Sequence, residues 1–272
     1  MKKFLVYAVL ICTIFTLVVF AGCTSPEGTN GETGDEVNGE VEGEVSGEVE
    51  GDPEKIIMGT NADFPPFEFR NDENEVDGFD VDIAKAIADA LGRELVIEDM
   101  EFGGLTQALH SKRIDMAIAG MTITEERLEE VDFSEPYYNA GQTVVVLEDE
   151  TEIKSVDDLE GKDIAVQLGT TGDLEAHERF PAEKIRQYNK INEGFLDLIN
   201  KRVDAIIIDV PVAERYIEIK GGCKTVGGVF TEELFGVAVS KENPELLDEI
   251  NKVLADLKES GQFDELISKW FE

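Results

Sequence analysis

The sequence predicts an α/β fold with mostly parallel sheets, divided into two similar units. Three observations lead there. From Lys55 onward, short apolar runs alternate with amphipathic stretches of helical period. Several of the strand-like runs pass through a turn rich in Gly, Asp or Thr into a helix, the connection that parallel strands need. The residues before Lys55 read as outside the fold, because they divide into an apolar leader and an acidic, Gly-rich stretch.

Lys2 and Lys3 open the leader as a short basic region, Phe4 to Phe20 form its apolar run, and Ala21, Gly22 and Cys23 follow. That is a secretory signal pattern; the run is slightly short for a spanning helix and acids follow it. Val19-Phe20-Ala21-Gly22-Cys23 resembles a bacterial lipobox, which implies a signal peptide over 1–22 and diacylation of Cys23 as the new N-terminus. An uncleaved anchor helix is the other reading, and either one places the body of the protein outside the cell membrane. Residues 23–54 then form a lipid-anchored, acidic, disordered linker with repeated Gly-Glu-Val triplets and no basic residue. About thirty such residues reach about 30 Å, and further when like charges extend them.

The net charge is −36. It argues against nucleic acid as a partner, since phosphate contacts need Lys and Arg. The cysteines are Cys12, Cys23 and Cys223. With the first lost in the signal and the second lipidated, Cys223 stands alone, so neither an intrachain disulfide nor a CxxC site is available to the mature chain.

Within the folded part, residues 55–59 read as a strand. Residues 80–91 read as a helix, with Ile83, Ala84, Ile87, Ala88 and Leu91 on one face, Asp80 as N-cap and Gly92 as C-cap. Residues 94–97 form the next strand, 105–111 a helix and 114–119 a buried strand. The strand signal returns at 163–167, 184–188 and 203–208, with helices at 172–179 and 193–201 between them. Residues 244–271 read as two helices broken at Gly261. Two units of about 90 residues accommodate this series better than one continuous sheet.

Four features carry a candidate site. Arg127 follows strand 114–119 in Thr122-Ile-Thr-Glu-Glu-Arg, with Thr124 as helix N-cap. A cation there opposes the helix dipole by a few tenths of a kcal/mol. It either pairs with Glu130 one turn on, or stands at a strand end as a guanidinium that forks onto a carboxylate. Gln167-Leu-Gly-Thr-Thr-Gly172 leads from strand to helix, either as a plain turn or as an anion site made by free N–H groups. Asp209 ends the apolar run Ala205-Ile-Ile-Ile before Pro211, as the cap of the next helix or as counter-ion to an ammonium group. In Phe64-Pro-Pro-Phe67-Glu-Phe69 the prolines stiffen the loop, Phe64 offers a flat apolar wall, and Phe67 and Phe69 belong to the core; Phe102 is either the facing wall or core. An Arg, an Asp, an N–H-rich turn and aromatic walls are the parts that hold a zwitterion. No nucleophile sits beside a base, His110 and His177 read as surface residues of amphipathic helices, and no cluster has metal spacing. Neither a catalytic residue nor a metal or other cofactor is expected.

These residues stand in motifs that strongly resemble the polar amino acid family of ABC transporter substrate-binding proteins, solute-binding protein family 3, which includes glutamine-, arginine- and lysine/arginine/ornithine-binding proteins. The motifs are Gly59-Thr-Asn-Ala-Asp-Phe-Pro-Pro-Phe-Glu-Phe69, Gly78-Phe-Asp-Val-Asp-Ile83, Ala119-Gly-Met-Thr-Ile-Thr-Glu-Glu-Arg127, Asp132-Phe-Ser-Glu-Pro-Tyr-Tyr138 and Gln167-Leu-Gly-Thr-Thr171, in matching order over residues 55–271. The resemblance implies a two-lobed periplasmic-binding-protein-like fold of type II, two mostly parallel sheets joined by two hinge strands. Lobe 1 would be 55–138 and 235–272, and lobe 2 would be 139–234. It implies that Arg127 clamps a ligand α-carboxylate with Thr122 and the Thr171 backbone, and that Asp209 and the Gly120 carbonyl take the α-ammonium. Phe64 and Phe102 would sandwich the side chain, whose end meets Gln167 and Asn61. Met121 and Thr170 complete the implied ligand-binding set.

The chain departs from the family pattern at three places. Several members have Asp where Asn61 stands, and glutamine-binding members can have Lys and His where Gln167 and Ile208 stand. Asp63 or Glu68 is then the candidate for a charge at the ligand's side-chain end, and the expected ligand is arginine first and glutamine second. The implied function is an exported lipoprotein on the outer face of the cell membrane. It would be a monomer that captures a free polar L-amino acid by lobe closure and hands it to ABC permease subunits. The competing reading is a cyclohexadienyl dehydratase-like enzyme on the same scaffold, which would need a general acid in the cleft.

Overall fold

β1 (Lys55–Thr60) opens the folded chain in the computed structural model, which describes residues 54–272. The signal 1–22, Cys23 and almost all of the linker lie outside the described residues. A small antiparallel meander follows, β2 (Asp63–Phe64), β3 (Glu68–Arg70) and β4 (Val76–Asp77), then α1 (Phe79–Leu91) and β5 (Glu94–Asp99). α2 (Leu105–His110), β6 (Met116–Ala117), α3 (Glu125–Glu130) and β7 (Val131–Phe133) complete the first stretch of the chain. β8 (Tyr138–Ala140) leads into a second series: β9 (Gln142–Leu147), β10 (Ile164–Gln167), α4 (Thr171–Arg179), β11 (Ile185–Tyr188), α5 (Ile191–Ile199), β12 (Ala205–Asp209), α6 (Val210–Lys220) and β13 (Cys223–Val226). β14 (Glu233–Phe235) returns to β15 (Ala238–Ser240), α7 (Pro244–Ser260) and α8 (Gln262–Phe271).

Two five-stranded sheets result, in the orders β5-β1-β6-β15-β7 and β11-β10-β12-β9-β13. Three strands of each sheet pair in parallel, and the other two add antiparallel. β10 and β12 are buried along their whole length, as strands covered on both faces must be, which is why they read as unbroken apolar runs. β9 and the short β13 and β15 occupy stretches for which the sequence periodicity names no element. β8 and β14 run antiparallel beside each other and carry the chain out of the first lobe and back.

α1 forms on the face expected for it, with Ile83, Ala84, Ile87 and Ala88 buried, and Gly92 closes it in the left-handed region at φ 65°. Asp80 is not its N-cap. Gly78 holds that position at φ 139°, and Asp80 is fully buried in the first turn. The expected strand at 114–119 contracts to β6, although Asp115 N–H and Ile118 N–H still donate to Ile57 and Gly59 carbonyls on either side. Gly261, at φ 82°, separates α7 from α8 as expected.

The fully buried Phe67 gathers the parts that join the lobes. Its ring lies 5.0 Å from Tyr138 on β8, 5.2 Å from Phe235 on β14 and 5.3 Å from Phe271 on α8, all edge-on, and 6.2 Å from Phe79 on α1. Such pairs add about 0.5–1.5 kcal/mol each beyond the area they bury. In the second lobe Phe195 stacks on Tyr216 at 4.4 Å, tying α5 to α6.

Gly78 is a backbone position that admits no side chain. A Cβ there would sit 2.1 Å from the Phe67 carbonyl oxygen, and its φ is unfavourable for any L side chain. Gly78→Ala is expected to lower stability by at least about 3 kcal/mol, combining a steric clash with backbone strain. The urea midpoint checks it, and an unchanged midpoint would contradict the packing described.

Candidate functional site

The parallel strands of both sheets aim their carboxyl ends at one small, tightly closed cavity. Phe64, Glu68, Phe102, Ala119, Gly120, Thr122 and Arg127 line it from the first lobe, and Gln167, Thr170, Thr171 and Asp209 from the second. Nine of the eleven residues expected at the site therefore meet in one place. Asn61 and Met121 do not face it. Met121 is buried in the apolar cluster with Phe102, Leu105 and Ala119, and Asn61 donates to the Met100 carbonyl at 2.7 Å.

Arg127 sits in the first turn of α3, whose N-cap Thr124 accepts its backbone N–H at 3.2 Å. Helical side chains lean toward the N-terminus, which turns the guanidinium back over residues 120–122 and away from Glu130. Nη1 donates to the Thr122 carbonyl at 2.7 Å, Nη2 to the Gly169 carbonyl at 3.1 Å, and the group lies 5.2 Å above the Phe102 ring. Glu130 instead meets His110 at 2.8 Å. Among the described residues Arg127 has no carboxylate in direct contact. Burial lowers its pKa to about 10 against the pull of Glu233 and Asp209, so it remains a cation at neutral pH.

The turn after β10 spends part of its anion-binding capacity on itself. Asp173 accepts from Gly169 N–H at 3.0 Å, and Thr170 Oγ1 donates to the Gln167 carbonyl while it accepts Asp173 N–H as the N-cap of α4. The first two amides of α4, at Thr171 and Gly172, have no carbonyl within the helix to bond. They are the donors that this helix start offers beside the cavity. Gly120, at φ 52°, lets the backbone approach Phe64, since a Cβ there would be 3.0 Å from that ring.

Asp209 occupies the N-cap position of α6, but its carboxylate makes no cap bond. Its Oδ1 is buried without a hydrogen-bond partner among the described residues. Burial first and the neighbouring Glu233 second push its pKa to about 7, against Gln142 and Arg127. Glu68 is more completely unpaired. It is 1% exposed, and neither carboxyl oxygen has a donor among the described residues. Burial and the neighbouring Asp80 hold its pKa well above the ordinary range.

Two groups at the site escaped the sequence reading. Glu233 is buried on β14, where it accepts from Thr122 Oγ1 at 2.7 Å and Thr231 Oγ1 at 2.9 Å. No local pattern marks it. Asp80 reaches under the cavity, accepting Gly120 N–H at 2.8 Å and the Tyr137 hydroxyl at 2.9 Å. An acid inside a Gly-Phe-Asp-Val-Asp helix start carried that signal, but it also fits a cap.

The lobes touch across the cavity mouth. Gln167 Nε2 donates to Asn61 Oδ1 at 2.9 Å, and Asn189 Nδ2 to Glu101 Oε1 at 2.7 Å. Asp63 receives Asn192 N–H on its carboxylate and the Tyr216 hydroxyl on its carbonyl, both at 2.9 Å. With the Arg127–Gly169 bond these contacts describe a closed cleft. Among the described residues no three His, Cys, Asp or Glu side chains are grouped to hold a metal ion, and no helix is long and apolar enough to cross a membrane.

The model of the family described as bacterial extracellular solute-binding proteins, family 3, matches residues 56–272. The arginine-binding extracellular protein ArtP of Bacillus subtilis (strain 168) is 34% identical over 275 residues, covering 100% of this chain and 98% of the relative. The ABC transporter glutamine-binding protein GlnH of the same strain is 33% identical over 277 residues, with the same coverage. Among solved structures, an ancestral arginine-binding protein bound to glutamine superposes with a TM-score of 0.78 at 44% identity, covering 80% of this chain and 98% of the other. The ancestral amino acid-binding protein AncCDT-1, a precursor of cyclohexadienyl dehydratase, gives 0.75 at 39% identity, covering 80% and 96%. The two sheet-bearing lobes are those of the type II binding-protein fold.

The buried acids give the protein a pH dependence of definite sign. Asp209 at about 7 and Asp80 at about 6 both lie above their unfolded value of 3.8. Between those limits the folded chain holds more protons than the unfolded one, so unfolding free energy falls as pH rises. The urea midpoint of ligand-free protein is expected to be higher at pH 5.5 than at pH 8, with a shallower trend in Asp209→Asn. A midpoint that climbs toward pH 8 would contradict this.

Proposed function

This chain belongs to the bacterial extracellular solute-binding proteins of family 3, and from that membership we propose that it captures a free polar amino acid, arginine first and glutamine second, for an ABC importer. The single observation that carries the reading is the charge pattern of the cavity. Among the described residues, one guanidinium without a carboxylate partner, one buried carboxyl without any donor (Glu68) and one with a donorless oxygen (Asp209) face the same small space. An α-amino acid supplies both missing charges, and a cationic side chain supplies a third.

In this reading Arg127 takes the α-carboxylate with Thr122 and the Thr171 amide, and Thr170 holds the turn in shape. Asp209 and the Gly120 carbonyl take the α-ammonium, and Phe64 and Phe102 flank the side chain. Gln167 and Glu68 meet its end, with Asn61 holding Gln167. Met121 acts from beneath, by packing against Phe102. Arginine ranks above glutamine because Glu68 is an orphaned acid at the wall. Residues 55–138 with 235–272 form one lobe and 139–234 the other, and a ligand that touches both favours the closed form by its differential contacts. The mature protein is a monomer that starts at lipidated Cys23, held at the outer face of the membrane beside its permease subunits.

A second reading has one observation in its favour. A cyclohexadienyl dehydratase-like reaction needs a general acid in the cavity, and Glu68, held protonated by burial, is such a group. Turnover of prephenate or arogenate would establish it.

Calorimetric titration of protein refolded to strip bound ligand, against the twenty amino acids and ornithine, tests the main reading. Arginine or glutamine is expected to bind. Arg127→Met is expected to weaken binding roughly a hundredfold or more, because it leaves the ligand carboxylate unpaired in a closed site. No binding by any amino acid would overturn the reading.

A further inference from the structure

We propose that the Glu68–Asp80 carboxyl pair is a proton-exchange element, which makes the binding of a cationic side chain release a proton that the binding of a neutral side chain does not. The proposal rests on the amino-acid-binding reading above.

The geometry comes first. Glu68 on β3 lines the cavity, is 1% exposed, and has no donor for either carboxyl oxygen among the described residues. Asp80 on α1 neighbours it, because the Asp80 backbone N–H donates at 2.9 Å to the carbonyl of Phe67, the residue before Glu68, and the charge of each carboxyl bears on the other's surroundings. Asp80 is fully buried, with Oδ2 taken by Gly120 N–H and the Tyr137 hydroxyl and Oδ1 left without a donor. Two facing carboxyls in a water-poor site cannot both carry charge, so one proton lies between them. Two donors already stabilise charge on Asp80, and Glu68 has none, so the proton resides on Glu68.

The surroundings reinforce that placement. The charged and titratable groups facing Glu68 are Asp80 of α1, Asp63 of β2, Asp209 of β12, and the Tyr137 and Tyr216 hydroxyls. None of these is cationic, and Arg127, which lines the same cavity, gives its guanidinium to the Thr122 and Gly169 carbonyls. Burial and these neighbours hold Glu68 well above the usual carboxylate range, while burial against three hydrogen-bonding neighbours leaves Asp80 at about 6. At neutral pH the pair therefore carries one proton.

A guanidinium or ammonium at the end of a ligand side chain replaces that proton. The Glu68 O–H bond breaks, its electron pair stays on the carboxylate, the new ion pair forms and the proton leaves to solvent. The amide of glutamine or the ureido group of citrulline brings no charge, accepts from the Glu68 hydroxyl and leaves the proton in place. Asp209 faces the α-ammonium shared by every amino acid, so any proton it releases is common to all of them. The difference between ligands isolates Glu68.

Calorimetric titration at pH 7, in phosphate and in Tris buffer, measures the protons released when L-arginine, L-citrulline or L-glutamine binds. Arginine is expected to release about one proton more than the neutral ligands. Its affinity relative to theirs is expected to rise roughly tenfold per pH unit while the pair holds its proton. In Glu68→Gln the excess proton and the relative pH dependence are both expected to vanish for whichever ligands the variant binds. Asp80→Asn keeps an acceptor for Gly120 and Tyr137 and offers Glu68 an N–H donor. Its arginine complex is expected to form with a smaller proton release at pH 7. Arginine binding with the same release as citrulline would overturn the proposal while leaving the binding reading intact, as would binding of glutamine alone. Failure of all three ligands to bind would overturn both.

Discussion

Among the described residues, Glu68, Asp80, Asp209 and Glu233 are buried in or beneath a cleft whose wall carries one guanidinium, Arg127, and that imbalance governs the cleft. Glu68, Asp80, Asp209 and Glu233 are each at most 5% exposed. Arg127 feels the charges of Asp209 and Glu233, and it gives its guanidinium hydrogen bonds to neutral carbonyls. An unpaired buried charge costs several kcal/mol, so such groups keep protons until a cation arrives. Glu233 is answered by two hydroxyl donors and Asp80 by an amide and a phenol. Glu68 and Asp209 are the pair left to a ligand. The cavity is thus poised for positive charge at two points and negative charge at one.

The fold supplies that imbalance by bringing strand ends together from two sheets. The aromatic cluster around Phe67 ties the site-bearing loop to α1, to both crossing strands and to the C-terminal helix. Packing is therefore dense where the chain crosses between lobes. The contacts at the cleft mouth are polar by contrast: side-chain amides, a backbone N–H on Asp63 and a tyrosine hydroxyl. Each contributes about 1 kcal/mol net and is replaceable by water when the lobes part. A stiff apolar join and a weak polar mouth suit a motion in which a ligand decides between open and closed forms.

Much of this was legible in the residues. Arg127, Asp209 and the turn 167–172 stand at strand ends in the sequence, and strand ends are where parallel sheets converge on a ligand. Residue order alone left Arg127 divided between Glu130 and a cavity, because both lie within a helical turn of it; only the backward lean of its side chain decides. Glu233 could not be found that way, since its partner Thr122 is 111 residues distant and no local pattern marks it. Asp80 looked like a cap because helix starts favour acids, and Gly78 took that place because the Phe67 carbonyl leaves no room for a Cβ. Met121 stands between the wall residues Gly120 and Thr122 and Asn61 stands three residues before Phe64, but closeness in sequence does not say which way a side chain turns. The division of roles among the wall residues came from family resemblance, not from spacing.

The most direct test of the account is a crystal structure of the protein grown with L-arginine. The account predicts the α-carboxylate on the Arg127 guanidinium, the α-ammonium on Asp209, and the ligand guanidinium against Glu68. A ligand held elsewhere, or one whose carboxylate lies away from Arg127, would contradict the claim that unbalanced charge in this cavity selects an amino acid.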